Sequence, residues 1–280
     1  MRSEALVAVI ACSLHTLGYE AQGAEHRGVV LGDLTWVQAE GVLNPDTVVV
    51  IPLGAAAKEH GPHLRLDNDW RLAEYLAERV VAASDIVLAP TIPYHYFPAF
   101  LEYPGSTSLS RDTARDVVVE IVRSLAHYGP RRFYILNTGI STLGPLKDSA
   151  AVLGKDGILL RYTDLEAVSG EAIKRVEKQT RGTHADEIET SMMLYIVPER
   201  VNMSRAVRDD DPSGPDARVL TRQRNGRDTY SPSGAWGDPT LATREKGRIV
   251  VEATVTGILN DIERLRAAGT GKNMKREQGH

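Results

Sequence analysis

Thr47-Val48-Val49-Val50-Ile51-Pro52-Leu53-Gly54 is a short, β-branched apolar run closed by a glycine, the pattern of a strand buried on both faces. A loop, Lys58-Glu59-His60-Gly61-Pro62-His63-Leu64-Arg65-Leu66-Asp67-Asn68-Asp69, leads from it to Leu72, Ala73, Leu76, Ala77, Val80 and Val81, which recur at helical spacing. Asp67, Asn68 and Asp69 stand where a helix start needs capping groups. The alternation continues with a strand over 86–92, a helix over 111–128 carrying Ala114, Val118, Ile121 and Leu125 on one face, and a strand over 132–138. A strand over 158–162, a helix over 165–178 and the stripe Ile188, Met192, Tyr195 and Ile196 follow. Such alternation predicts an α/β fold with a largely parallel central sheet covered by helices. Residues 207–240 lose all periodicity and read as a long loop of the kind that often serves function. Val251, Val255, Ile258, Leu259, Ile262 and Leu265 then mark a C-terminal helix.

The chain has 280 residues, 42% hydrophobic and 25% charged, which excludes a disordered, collagen-like or multi-span membrane protein. A net charge of -4 leaves no electrostatic footprint for nucleic acid, so the expected partner is a small molecule. Met1-Arg2-Ser3, the apolar stretch Ala5–Leu14 and the small residues Ala21-Gln22-Gly23 form the pattern of a secretory signal peptide. The apolar stretch falls short of the ~20 residues of a permanent membrane span. The expected organisation is a signal peptide at 1–23, a single domain over 24–268 and a flexible tail at 269–280, in a periplasmic or secreted protein. Val9-Ile10-Ala11-Cys12 also resembles a lipobox, but its leader would be unusually short, and the unlipidated form is favoured. Cys12 is the sole cysteine, so removal of the leader excludes disulfides, thiolate metal ligands and a cysteine nucleophile.

The loop at 58–69 packs histidines and carboxylates at the end of a buried strand, where open α/β sheets place ligands. Imidazole and carboxylate donors together suit zinc, manganese or iron, whose charge offsets the cost of clustering anions. The same residues also serve as an ordinary solvated loop with a helix cap. A second cluster, Thr183-His184-Ala185-Asp186-Glu187-Ile188-Glu189-Thr190-Ser191, opens a helix. On one continuous helix His184 and Glu189 lie about 140° apart and cannot share an ion, unless His184 precedes the first turn. Asp186 and Glu187 suit the positive end of the helix dipole.

These two segments resemble the EQHGPHLPL-x-TD and HAG-x-x-ETS signatures of the creatininase family of metal-dependent amidohydrolases. The similarity is collinear over most of 33–265. Leu34-Thr35-Trp36 is similar to the family's opening, Tyr103-Pro104-Gly105-Ser106-Thr107-Ser108-Leu109 to its FPGT-x-SL segment, and Thr243-Arg244-Glu245-Lys246-Gly247 to its late basic turn. The resemblance implies a three-layer α/β/α sandwich, often assembled as a homo-oligomer such as a hexamer, with one or two divalent metals acting on small cyclic or formylated amides. It implies His60 as a metal ligand, Asp69 as the carboxylate bridging two metals, Glu189 as a further ligand and His184 as the proton shuttle.

The departures are specific. Lys58 stands where the family has a glutamate two residues before the ligand histidine, and the segment from Gly54 carries one extra residue, so a local bulge would bring Glu59 to the metal. Gly139 replaces a ligand histidine after the third strand, and Ser141 stands where some members place a ligand glutamate. One ion per chain is therefore expected, with His95 as a substitute donor or simply a histidine among aromatics. Trp36, Trp70 and Trp236 read as core or rim residues, Trp236 also as a cover for a bound ring. Arg65 reads as an exposed loop arginine or a carboxylate binder. Two functions follow: hydrolysis of a C–N bond in a small amide by metal-activated water, or ligand binding by a catalytically degenerate relative.

Overall fold

In chain order the strands of the central sheet are β1 (Val29–Val30), β2 (Val48–Leu53), β3 (Val87–Leu88), β4 (Arg132–Asn137) and β5 (Leu159–Tyr162). They pair in the order β1-β3-β2-β4-β5, and every pair is parallel. The structure, a computed structural model, describes residues 26–210, 219–224 and 228–269. The expected leader at 1–23, Cys12 and residues 270–280 of the tail lie outside the described residues.

The helices are α1 (Trp36–Val42), α2 (Asn68–Ala83), α3 (Arg111–Ala126), α4 (Leu143–Lys155), α5 (Leu165–Val176), α6 (Glu187–Ile196) and α7 (Arg244–Ala267). Alternation along β2 and β4 sends side chains to opposite faces. Val49, Ile51, Leu53, Phe133 and Ile135 pack with Val118, Val122, Leu146 and Leu153 of α3 and α4. Val48, Val50, Tyr134 and Leu136 pack with Leu76 and Val80 of α2, Met192 of α6 and Val251 and Ile258 of α7. The result is the expected α/β/α sandwich around a parallel sheet.

Several boundaries move. The strand expected over 86–92 is reduced to Val87–Leu88, with Ile92 rejoining the sheet by a lone bridge to Leu53. Pro90 has no N–H to give the ladder. On α3 the buried face includes Val119, Val122 and Ala126, while Ile121 and Leu125 are half-buried. Helix α4 has no counterpart in the sequence reading. Pro145 lies in its first turn, where the backbone N–H has no intrahelical acceptor, so proline is tolerated there. Within 207–240, residues Leu220–Thr221 (β6) and Thr229–Tyr230 (β7) pair in parallel. Trp36 is 79% exposed, whereas Trp236 is buried.

Candidate metal centre

The carboxyl end of β2 fixes the first half of the site. Gly54 follows the strand, and a Cβ there would collide with the Asp69 backbone, so glycine lets the start of α2 come down onto the strand end. Asp67 precedes α2 without a side-chain cap and instead pairs with Arg71 and Arg200. Asp69, in the first turn, turns inward and is 1% exposed. Its Oδ1 lies 2.8 Å from His60 Nε2 and its Oδ2 lies 2.7 Å from Lys58 Nζ. The His60 Nδ1 is 2.9 Å from the Lys58 carbonyl oxygen, which can only accept, so Nδ1 carries a proton. Nε2 then presents to the Asp69 carboxylate an acceptor that needs a cation, either a proton or a metal ion, between the two. A ring nitrogen held in this way by a backbone carbonyl is the usual preparation of a histidine ligand.

The start of α6 supplies the second half. Ala185 has φ 47, an uncommon left-handed conformation for a residue with a side chain. Asp186 caps α6 by accepting from Ile188 N and Glu189 N, both at 2.9 Å. His184 thus lies before the first turn, free of the helical spacing, and its Nδ1 comes within 3.7 Å of Glu189 Oε2. Trp236 N–H donates to the His184 carbonyl at 2.7 Å, and His184 N–H donates to the Trp236 carbonyl at 3.2 Å. Trp236 therefore clamps the His184 backbone from a buried position. Phe100 packs against the His184 ring, tilted by 39° with centroids 4.3 Å apart.

The halves meet in a single cluster. His184 Nε2–H faces the Glu59 carboxylate at 2.8 Å, and Gly61 N–H donates to the other Glu59 oxygen, also at 2.8 Å. Gly234 lies against this carboxylate at φ +85, leaving no space for a Cβ. Donor atoms of His60, His184 and Glu189 lie within 4.8 Å of one another. These residues could hold a metal ion, with Asp69 bonded to His60 and Glu59 to His184. Glu59 thus reaches the cluster through a histidine, with both oxygens engaged in the protein.

The charges reinforce one another. Burial opposes the ionised Asp69 carboxyl, but Lys58 and His60 hold it well below the usual carboxylate range. Burial likewise opposes the Lys58 ammonium, yet Asp69, Glu189 and Glu59 hold its pKa above the ordinary lysine value. Against burial, His184 draws the Glu59 pKa down and Glu59 draws the His184 pKa up. Burial, then the Glu189 charge, push the Asp186 carboxyl up to about 6.

The candidate substitute donor, His95, and the positions where the family's donors are replaced lie elsewhere. His95 is buried, with Nε2 3.0 Å from the Ala114 carbonyl, and burial takes its pKa down to about 4. Ser141 Oγ donates to the Tyr96 carbonyl at 3.0 Å. Gly139 is folded into its own turn, its carbonyl accepting from Asn137 Nδ2 at 2.7 Å. Arg65 is exposed and lines a cavity of about 360 Å³ with His63, Asn202 and Arg205. Sequence reasoning passed over the partners of Lys58 and Glu59 and the Trp236 clamp. The small apolar run Ala55-Ala56-Ala57 ahead of Lys58 was the available sign that this lysine is buried.

Comparison with known proteins agrees with the fold and the family resemblance. The creatininase family, described as creatinine amidohydrolase, matches residues 32–262. The mycofactocin precursor peptide peptidase of Mycolicibacterium smegmatis is 30% identical over 224 residues, 78% of this chain and 85% of that protein. A crystal structure of creatinine amidohydrolase superposes with a TM-score of 0.71 at 25% identity, covering 86% of this chain and 99% of that one. A structure described as manganese creatininase gives a TM-score of 0.71 at 24% identity, covering 86% and 100%. A match over residues 32–262, which take in β2 to β5 and the loops at their carboxyl ends, leaves one assignment: the chain belongs to the creatininase family.

Proposed function

We propose that the protein is a metal-dependent amidohydrolase that cleaves a C–N bond in a small amide. The observation that carries this reading is the convergence of His60, His184 and Glu189 donors within 4.8 Å, beside an Asp69 carboxylate that faces an acceptor nitrogen. Relatives named as a peptide peptidase and a creatinine amidohydrolase support hydrolysis as the reaction class. The donor set suits zinc, manganese or iron. His60 and Glu189 would hold the ion, with Asp69 alongside. When bound, such an ion supplies Lewis acidity that polarises a carbonyl and makes water a nucleophile near neutral pH.

The protein's own groups do the rest. Glu189 is the most exposed of the three donor residues, with 22% of its side chain accessible, so substrate approaches from its side. Burial of the others favours a small or cyclic amide over a bulky chain. Glu59 holds the His184 ring and stabilises its cationic form, which fits His184 to carry a proton to the departing nitrogen. The leader-like segment at 1–23 supports placing this activity in the periplasm or outside the cell.

His184→Ala tests the role of that residue. With His184 as proton carrier, metal content stays near the parent value and turnover of a cyclic amide falls by roughly 10²–10⁴-fold. A second reading, His184 as a ligand through Nδ1, is favoured by its place in the donor cluster. In that case the variant loses its metal and its activity together. Full metal occupancy with unchanged turnover would remove His184 from the mechanism, and no turnover across a panel of cyclic and formylated amides by metal-loaded parent protein would favour the ligand-binding alternative.

A further inference from the structure

Lys58 is the one member of the cluster to which the proposed reaction gives no task, and its surroundings are unusual for a lysine. The residue is 5% exposed. Its Nζ lies 2.7 Å from Asp69 Oδ2, with the Phe100 ring centroid at 4.7 Å and the Phe97 centroid at 5.8 Å. Aromatic faces attract a cation and exclude water. Asp69 thus has a ring nitrogen on one oxygen and a fixed ammonium on the other, the use a carboxylate makes of its two oxygens when it joins two cations.

We propose that the Lys58 ammonium takes the position of a second cation on Asp69, so that the centre holds one divalent ion and one built-in positive charge. Charge and space both argue for this. A divalent ion on the Oδ2 side would meet the ammonium within contact distance, and like charges that close repel strongly in a dry environment. The strand end that touches Asp69, through Thr138 Oγ1 and the Asp69 carbonyl, turns its polar groups on one another: Asn137, Thr142 and the Gly139 carbonyl are bonded together, and Ser141 bonds Tyr96. The ammonium also orients Asp69 toward His60. This inference rests on the metal-dependent reading above and gives Lys58 a positioning and electrostatic role within it.

The test is Mn(II) binding to chelator-stripped, full-length protein, followed by metal analysis and electron paramagnetic resonance. The parent should saturate at one Mn(II) per chain with the six-line signal of isolated ions. Lys58→Glu, which exchanges the ammonium for a carboxylate, should take up a second Mn(II) and show spin coupling. Lys58→Gln, neutral and similar in length, should keep one ion and bind it roughly tenfold more tightly, since a nearby like charge is removed. Circular dichroism confirms that each variant folds, and if Lys58→Glu does not fold, the affinity of Lys58→Gln decides. Two ions in the parent overturn the proposal, as do folded variants with parental stoichiometry and affinity. A parent that binds no Mn(II) overturns the metal-dependent reading instead. The Lys58 assignment then requires Lys58→Glu to gain an ion, and its failure to do so overturns that assignment too.

Discussion

Asp69 shows at the scale of one residue how site and stability are joined. It is a loop-end carboxylate in sequence but a buried ion-pair partner in the fold, so Asp69→Asn removes the only carboxylate in contact with the Lys58 ammonium among the described residues. Breaking a buried pair from one side costs about 3–5 kcal/mol. The variant should therefore lose metal affinity and melt at clearly lower temperature, while Asp69→Asn combined with Lys58→Met should regain thermal stability without regaining metal. Equal melting temperatures for parent and single variant would contradict the pairing. His95 gives a residue-scale prediction for pH. Burial lowers its native pKa to about 4, against about 6.5 in the unfolded chain, so between these values the unfolded state binds a proton that the native state does not. The contribution is full above about pH 6.5 and is lost as pH falls toward 4, at roughly 1.4 kcal/mol per pKa unit. His95→Gln should flatten melting temperature against pH across that window, and parallel profiles would rule His95 out as a source of acid lability. His60, Asp69, His184 and Glu189 were legible because the two segments that carry them resemble the creatininase signatures; composition and spacing alone left an ordinary loop and a helix cap equally open. The Glu59–His184 contact was not, since it joins positions 125 residues apart and depends on which way each side chain turns.

At the scale of elements, the site depends on how closely α6 is held to α7. A Cβ at Gly247 would overlap the Ser191 carbonyl oxygen, so the first turn of α7 presses backbone against α6 two residues after Glu189. Lys246 and Glu187 form an ion pair across the same contact, and Glu187 also accepts from Lys178 N at 2.8 Å. Gly247→Ala must move α6 or distort α7, at a cost of about 1–3 kcal/mol for overpacking. Because α6 carries Glu189, Mn(II) affinity should fall together with melting temperature; a loss of stability with unchanged metal affinity would mean that α6 yields away from its first turn. Sheet and main helices were readable from periodicity, as β2 and α2 illustrate. Helix α4 was not, because Gly144, Pro145 and Gly154 look like breaks unless one knows that the first lie in its opening turn. Gly247 was visible only as part of a motif, since nothing in a sequence says that two helices approach at that residue.

Across the whole molecule, the centre links segments that the chain keeps far apart. His60 comes from the connection between β2 and α2, Asp69 from the first turn of α2, and Glu189 from α6, which packs on α7 at the far end of the sequence. An ion held between them joins the carboxyl edge of the sheet to the α6–α7 pair, and no such site exists in the unfolded chain. Its binding free energy therefore adds to folding, by about 2.7 kcal/mol at a free concentration a hundred times the dissociation constant. For a domain of this size that corresponds to a rise of roughly 5–10 °C in melting temperature. Removing the ion with a chelator should reverse the rise, and readdition of Mn(II) should restore it in proportion to the logarithm of its concentration. Hydrogen exchange locates the effect: amides of 58–69 and 183–189 should lose protection in the stripped protein, while β2 and β4, buried between two helical layers, should change little. A melting temperature indifferent to chelator and Mn(II) would mean that the donors are satisfied by one another, His60 by Asp69 and His184 by Glu59, and that the cluster is a structural knot of charges without an ion.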